Sequence, residues 1–188
     1  MPVLDCTTPC ALAELRKGSD CNDTPGIDWG YWSLRSSIAS VAVSNEGVIT
    51  AYTMEASEFF YGIDFDIENS NYVANYNEDN AYYEHTLIIN LLGKSAEQRK
   101  VISDAIKCCN IVWHIGTAGC HERVVGIEIK EDDSIHNYFK PLRIGEHEDN
   151  QGERGGERAR DLLTFTGKSL KPALYADVGE GDIPTDTA

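Results

Sequence analysis

The sequence predicts a mainly β fold of the α+β class: an antiparallel β-sandwich or barrel-like sheet flanked by one main α-helix. Many short segments alternate apolar and polar residues, or are rich in β-branched and aromatic residues, and turn residues separate them. One segment, starting at Ser95, instead repeats its apolar residues with the period of a helix. The chain has 188 residues, which is enough for one domain with a sizeable core.

The first predicted strands precede an asparagine-rich stretch. The segments "WSLRSSIASVAV" (32–43) and "VITAYTM" (48–54) are expected to form two strands around a turn at 45–47. The aromatic segment "EFFYGIDFDI" (58–67) predicts a third strand. Residues 68–80 contain five asparagines and predict a long loop.

A strand and the helix follow this loop. The segment "YYEHTLIINLL" (82–92) alternates and therefore has one apolar face. Ser95 is a good N-cap, and Gln98 completes a capping box with it, so the helix is expected to run to Lys107 or Cys108. The strand face comprises Tyr83, His85, Leu87, Ile89 and Leu91, and the helical stripe comprises Val101, Ile102, Ala105 and Ile106.

The next segments predict a hairpin and two further strands. "NIVWHI" (110–115) and "HERVVGIEI" (121–129) flank a glycine turn at 116–119. "IHNYFKPLRI" (135–144) is strand-like, with its proline suggesting an edge or a bulge, and "ARDLLTFTGKSL" (159–170) predicts the last strand. The total is about seven to nine strands.

Three regions follow from these assignments. Residues 1–30 predict an irregular N-terminal arm, residues 31–176 the β domain, and residues 177–188 an acidic, flexible C-terminal tail. Within the domain, residues 145–158 are polar and glycine-rich and predict a second flexible loop. The pattern of a signal peptide or membrane span is not found, so the expected compartment is a cytoplasm.

The charge of the chain argues against two classes of function. The formal net charge is −15, which disfavours binding to nucleic acid phosphates and to anionic membranes. Residues 36–93 hold nine acids and no Lys or Arg. Solvated loops would explain this pattern, and so would a negative surface with a function. The candidate residues for such a surface are Asp64, Asp66, Glu68, Glu78 and Asp79.

The six cysteines raise the question of a metal site. In residues 108–121 the ligand types suit zinc, but adjacent residues of a strand point to opposite faces, so the hairpin interpretation is preferred. The pair Cys6 and Cys10 with Cys21 is a better candidate for a metal or a disulfide, with Cys120 or His121 as a distant partner. Free, packed thiols remain the default in a chain that is not evidently secreted.

Catalytic signatures are not found. The spacing of Asp64, Asp66 and Glu68 begins like a calcium loop, but Asn69 and Asn75 stand where an EF-hand needs Gly and Glu. The sequence has no nucleophile elbow and no phosphate-binding loop. We therefore expect no enzymatic activity and no cofactor, and a hydrolase that uses the acidic cluster with a divalent ion has only composition in its favour.

The order of elements between residues 80 and 176 resembles a known family. It runs from the strand "EHTLIINLL" through the helix opened by "SAEQRKVI" to the hairpin "IVWHI…VVGIEI", a polar loop and "DLLTFTGKSLKPAL". This order is similar to that of the tail-tube and related tail structural proteins of bacteriophages. It covers about half of the chain and explains neither the cysteine-bearing N-terminus nor the tail after Tyr175.

The resemblance implies a structural role in a virion. Such subunits form stacked rings, usually hexameric, and partner with copies of themselves and with other tail or connector proteins, while DNA passes through as cargo. An acidic lining would repel phosphates, and the candidate acids could line this lumen or a subunit seam. The alternative is a non-enzymatic β-sandwich binding module with a metal site at Cys6, Cys10, Cys21, Cys120 and His121.

Overall fold

The computed structural model describes residues 26–92, 96–107, 110–117, 121–129, 142–150 and 160–185. These residues form eleven β-strands and one α-helix, so the predicted mainly β fold with one main helix is confirmed. The helix is α1 (Ala96–Ala105). The strands are β1 (Ile27–Leu34), β2 (Ile38–Val43), β3 (Ile49–Met54), β4 (Tyr61–Gly62), β5 (Asn71–Asn77), β6 (Tyr82–Leu92), β7 (Ile111–Thr117), β8 (His121–Val125), β9 (Arg143–Asn150), β10 (Arg160–Ser169) and β11 (Leu174–Ala176).

The described strands form two sheets. The larger sheet has seven strands in the order β2-β3-β11-β8-β7-β1-β4, and its neighbours are antiparallel except for β11 and β3. The smaller sheet has four antiparallel strands in the order β5-β6-β10-β9. The chain passes from the smaller to the larger sheet between β6 and β7, and α1 lies in that connection.

The main core combines side chains from both sheets. Trp113 on β7 and Phe165 on β10 are fully buried, and their rings meet edge to face with centroids 5.1 Å apart. Ile102 of α1 belongs to the same cluster. Replacing such a buried aromatic residue by alanine typically costs about 3–5 kcal/mol, so this contact is a main source of cohesion between the sheets.

A second apolar cluster involves the other side chains of the larger sheet. Val112, next to Trp113 on β7, packs there with Val124 of β8. Phe60 and Ile183 belong to the same cluster from outside the long strands. Because β7 is buried on both faces, its sequence is almost continuously apolar rather than alternating.

The predictions for β3 and β6 are confirmed. The turn at 45–47 joins β2 to β3, and β6 covers residues 82–92 as predicted. The apolar face of β6 is buried at His85, Leu87, Ile89 and Leu91. The local alternation sufficed here because the less buried Thr86 and Ile88 separate His85, Leu87 and Ile89, although Asn90 is itself buried.

Gly116, the first glycine of the turn predicted at 116–119, lies in a strand instead. Gly116 and Thr117 belong to β7, while residues 118–119 lie outside the described residues. The indole of Trp29 covers Gly116 so closely that a Cβ there would lie 2.1 Å from Trp29 Cε2. The glycine is therefore needed for aromatic packing across β1 and β7.

The helix is confirmed, but its apolar stripe is only half buried. Ile102 and Ala105 are buried, whereas Val101 and Ile106 are 54% and 41% exposed. The predicted N-cap, Ser95, lies outside the described residues. The stripe therefore extends past the core onto an open surface.

The strand predicted for residues 32–43 was wrong in its bounds. Residues 32–43 contain the end of β1 and all of β2, separated by a 3₁₀ turn at Arg35–Ser37. The two strands do not pair, since β2 lies at one edge of the sheet and β1 lies between β7 and β4. The arm predicted for residues 1–30 also ends earlier, because β1 starts at Ile27.

The assignments for residues 58–80 were nearly inverted. Within the predicted strand 58–67, two residues form the short β4, and residues 67–69 form a 3₁₀ turn. The predicted loop 68–80 contains β5 instead. The asparagines hid this strand, because β5 is held by its pairing with β6 over all seven residues rather than by its own propensity.

The two segments predicted to be flexible in the C-terminal part of the chain were also too long. Residues 145–150 of the predicted loop 145–158 belong to β9, and the rest lies outside the described residues. The predicted flexible tail is wrong for residues 177–185, where Val178 and Ile183 are buried. The backbone N–H of Phe60 donates to the carbonyl of Pro184 at 2.8 Å and fixes this segment.

Candidate functional site

The outer edge of β5 is a sheet edge that carries no charged residue. Among the described residues, β6 is the one strand paired with β5, so the other backbone edge is open. The sequence "NYVANYN" carries no charge and no proline, and its register with β6 has no bulge. Val73 and Tyr76 are 43% and 50% exposed. An uncharged, regular edge of this length is a template for pairing with another chain.

The other three edges of the described sheets carry protective features. The edge strand β9 presents the acids Glu146, Glu148 and Asp149 and has a bulge opposite Thr164. The edge strand β2 is interrupted by two register shifts, and β4 has only two residues. Charges, bulges and short length all oppose edge-to-edge association. The open edge of β5 therefore differs from its counterparts.

The inner face of the β5–β6 hairpin anchors this edge to the core. Tyr72 lies opposite Leu87 and Tyr76 opposite Tyr83, and the two tyrosine rings of the second pair are 5.2 Å apart. Such aromatic cross-strand pairs stabilise a sheet beyond the area they bury. Tyr72 attaches β5 to the main core, whereas the half-exposed Tyr76 attaches it to β6.

The predicted acidic residues lie at the two ends of β5. Asp64, Asp66 and Glu68 precede the strand, while Glu78 and Asp79 lie in the turn that follows it. Since β5 has seven residues at about 3.3 Å each, the two groups are on the order of 20 Å apart. The structure therefore brings together the members of each group, but it does not merge the groups into one cluster.

Asp66 has a structural task in addition to its charge. Its carboxylate accepts hydrogen bonds from the backbone N–H of Glu68 at 3.2 Å and from Asn69 Nδ2 at 2.7 Å. Its carbonyl accepts from Ser70 Oγ at 2.8 Å. Asp66 thus caps the 3₁₀ turn that starts β5, a common role for aspartate.

Glu84, one of the nine acids in residues 36–93, forms an ion pair with a base on a strand that is distant in sequence. Lys168 of β10 lies 3.3 Å from Glu84 and donates a hydrogen bond to the hydroxyl of Tyr82 at 2.7 Å. The hydrogen bond from Tyr82 and the nearby Lys168 hold the pKa of Glu84 below its ordinary value. The register between β6 and β10 brings Lys168 next to Glu84. No local pattern of the sequence indicates this contact.

A deep apolar groove opens beside the edge of the larger sheet. It has a volume of about 570 Å³ and lies among β1, β4, α1 and the ends of β6 and β10. Its walls are mostly apolar, and two carboxylates, Glu58 and Asp64, line it as well. The sequence indicated this site only indirectly, through the exposed half of the helical stripe.

A buried polar network occupies the centre of the larger sheet. His114 Nε2 lies 3.0 Å from Glu122 Oε2, and His114 Nδ1 lies 3.0 Å from the Tyr52 hydroxyl. Because a carboxylate only accepts, Nε2–H donates to Glu122 and Nδ1 accepts from Tyr52. Glu122 also accepts from the backbone N–H groups of Val178 and Gly179. The network therefore fastens the C-terminal segment to β3, β7 and β8.

A second histidine lies beneath the β5–β6 hairpin. His85 Nδ1 is 2.7 Å from the Tyr72 hydroxyl, and Nε2 is 2.5 Å from Ser169 Oγ. The Ser169 hydroxyl donates to the carbonyl of Lys171, so His85 Nε2–H donates to Ser169. This direction is opposite to the one that would activate Ser169 as a nucleophile. The arrangement therefore ties β5, β6 and β10 together.

The two buried histidines predict a loss of stability in weak acid. Burial lowers the pKa of both His85 and His114 from the ordinary value of 6.5, and Glu122 only partly opposes this for His114. Below pH 6.5 the unfolded chain binds protons that the folded histidines do not. Unfolding free energy should therefore fall from pH 6.5 toward 5, by up to about 1.4 kcal/mol per pH unit for each histidine.

Urea titrations across this pH window measure the effect. His85→Gln removes one of the two groups, so its stability should depend less steeply on pH than that of the parent chain. The imidazole proton shifts in NMR spectra should give apparent pKa values below 6.5 for both rings. A stability that does not change from pH 6.5 to 5 would contradict the prediction.

Of the candidate metal ligands named from the sequence, His121 is the one that lies in the described part of the chain. Cys6, Cys10, Cys21, Cys108, Cys109 and Cys120 all lie outside the described residues. His121 is exposed, and its ring meets that of Tyr175 edge to face. Within the described ranges, no group of three His, Cys, Asp or Glu side chains is placed to hold a metal ion.

Comparisons with family models, with curated proteins and with solved structures gave no match to this chain. In the described ranges, no helix has the length and apolar character needed to cross a membrane.

Proposed function

We propose that this chain is a non-catalytic structural subunit that pairs with copies of itself into rings of a phage tail tube or head–tail conduit. The observation that carries the proposal is the open, uncharged edge of β5. It is supported by the resemblance in element order between residues 80 and 176.

Edge pairing favours a ring when the two joined surfaces differ. If β5 of one subunit pairs with a different edge of the next, the contact is head-to-tail, and such contacts close into rings at a suitable rotation. Pairing of β5 with β5 would instead give a two-fold dimer. Closing a sheet across subunits removes the open edges of each one.

The acids at the two ends of β5 are the charge that supports a conduit for DNA. The outward face of the smaller sheet is itself mixed in charge, because the register places the bases Arg143, Arg160 and Lys168 on the same face as Glu84, Glu146 and Glu148. Asp64, Asp66 and Glu68 lie at one end of β5, and Glu78 and Asp79 lie at the other. A conduit lined by these two acidic groups would repel phosphates rather than bind them.

The proposed partners are copies of this chain and other tail or connector proteins. DNA would be transiting cargo without specific contacts, and the assembled subunit would reside in the virion. This role needs no cofactor and no catalytic residue.

Blocking the β5 edge tests the proposal. Purified wild-type chain should form rings or tubes that grow with concentration, as seen by light scattering and negative-stain microscopy. Val73→Lys places a charge on the open edge and should abolish assembly. The variant should keep the far-UV circular dichroism of the wild type, because Val73 lies outside the core.

A charge on an interior strand provides the matched control. Ala51→Lys adds the same group to an exposed position of β3, which is paired on both sides, and should leave assembly unchanged. Three results would refute the proposal: a wild-type chain that stays monomeric up to its solubility limit, two-fold dimers without rings, or assembly that survives Val73→Lys.

A further inference from the structure

The groove beside α1 has the properties of an unfilled binding surface. Three of the apolar side chains that line it, Leu34, Tyr61 and Val101, are 40%, 50% and 54% exposed. Its floor contains the buried residues Ile102 and Leu163 of the main core. An apolar surface of this extent beside the core indicates an occupant.

The charge at the groove specifies the chemistry of that occupant. Glu58 and Asp64 line it, and no Lys or Arg does so among the described residues. Glu58 accepts a hydrogen bond from Ser37 at 2.7 Å, which positions its carboxylate at the wall. The matching ligand is a short apolar segment followed by positive charge.

The chain itself contains such a segment outside the described residues. The sequence "ALAELRK" (11–17) combines Leu12 and Leu15 with Arg16 and Lys17, and with its one acid, Glu14, it keeps a net positive charge. Leu12 and Leu15 are three residues apart, a spacing that places both on one side of a helical turn. The two bases follow directly, as the groove requires.

The length of the chain allows this segment to reach the groove of its own subunit. Eight residues lie between Lys17 and Gly26, and an extended chain from one to the other spans up to about 30 Å. From Ile27, β1 runs for eight residues, and its last three, Trp32 to Leu34, line the groove. The distance from Ile27 to these three residues is about 17–23 Å at the rise of a strand.

We propose that residues 11–17 bind in the groove of the same chain, with Leu12 and Leu15 in the apolar part beside Val101 and with Arg16 and Lys17 near Glu58 and Asp64. The contact gives a partner to the exposed half of the α1 stripe. It does not involve the open edge of β5, since the groove borders β4 and α1.

Hydrogen exchange of the full-length chain tests the contact. The measurement uses the Val73→Lys background at low concentration, so that assembly does not contribute. Amides of residues 11–17 should exchange at least about tenfold more slowly than in the double variant Leu12→Glu, Leu15→Glu. The matched control, Val3→Glu with Leu4→Glu, adds the same charges to the same residue class outside the segment and should leave this protection unchanged.

A second pair of variants tests the groove side. Val101→Glu puts a charge on the groove face of α1 and should release residues 11–17 about as far as the leucine double variant does. Ile106→Glu makes the same kind of change just beyond the helix, away from the groove, and should have little effect. Both side chains are exposed, so neither variant is expected to unfold the chain.

Three outcomes would overturn the proposal. Residues 11–17 of the parent chain could exchange as fast as an unfolded peptide. Protection that survives Val101→Glu would place the segment elsewhere. Protection that appears only at concentrations where dimers form would mean that the segment of a second copy fills the groove.

Discussion

Gly126→Ala is expected to destabilise the chain by about 3 kcal/mol, because strain and a backbone clash add together. Gly126 has φ +97°, a conformation that residues with a Cβ rarely adopt. A Cβ there would lie 2.7 Å from the carbonyl oxygen of Ile111. That oxygen accepts a hydrogen bond from Leu142 N–H, so the clash would also disturb the connection between β7 and the residue preceding β9.

Gly47→Ala separates the two contributions. Gly47 also has a positive φ, +79°, but a Cβ there meets no atom within 4 Å. We therefore expect a loss of only about 1 kcal/mol from strain alone. Urea denaturation midpoints of the two variants measure the difference. Equal losses at the two positions would show that the contact with Ile111 is relieved by a small backbone movement.

Glu122→Ala is expected to cost a similar amount, about 3 kcal/mol, by leaving buried donors unpaired. Glu122 is the acceptor for His114 and for the backbone N–H groups of Val178 and Gly179. His114 is fully buried, so water cannot replace the lost partner without rearrangement. Glu122→Gln keeps one oxygen acceptor and should lose roughly half as much.

Proteolysis shows where this loss of stability acts. In Glu122→Ala, residues 177–185 should become the first site of cleavage under native conditions, because their attachment to β8 is weakened. Glu146→Ala, at an exposed position of β9, serves as the control and should change stability by less than about 0.5 kcal/mol. A Glu122→Ala chain as stable as this control would refute the structural role of the network.

Sequence patterns located the elements whose local signals were unambiguous. β6 matches its prediction because its apolar core residues occur at every second position, and β10 was recognised from a similar alternation. The helix was found from its apolar period, although the same period did not show that Val101 would face an open groove. Periodicity reports which residues share a face, but it does not report what covers that face.

Elements stabilised by distant partners could not be predicted in this way. β5 is rich in asparagine and is stabilised by its pairing with β6. β9 is rich in charged residues, which predicted a loop, but it pairs with β10 as a strand. The candidate acids were chosen from their density in the sequence, yet β5 holds them apart in two groups. The open edge of β5 was missed for the same reason, since an edge is defined by the order of strands in a sheet.

The sequence by itself determined the fold class, the positions of the most regular elements and the acidic character of residues 36–93, because each is a property of neighbouring residues. The tertiary structure alone decided which strand has an open edge, which side chains form the groove, and how Tyr52, His114 and Glu122 meet. These residues lie far apart along the chain, and strand register and core packing between the sheets bring them together.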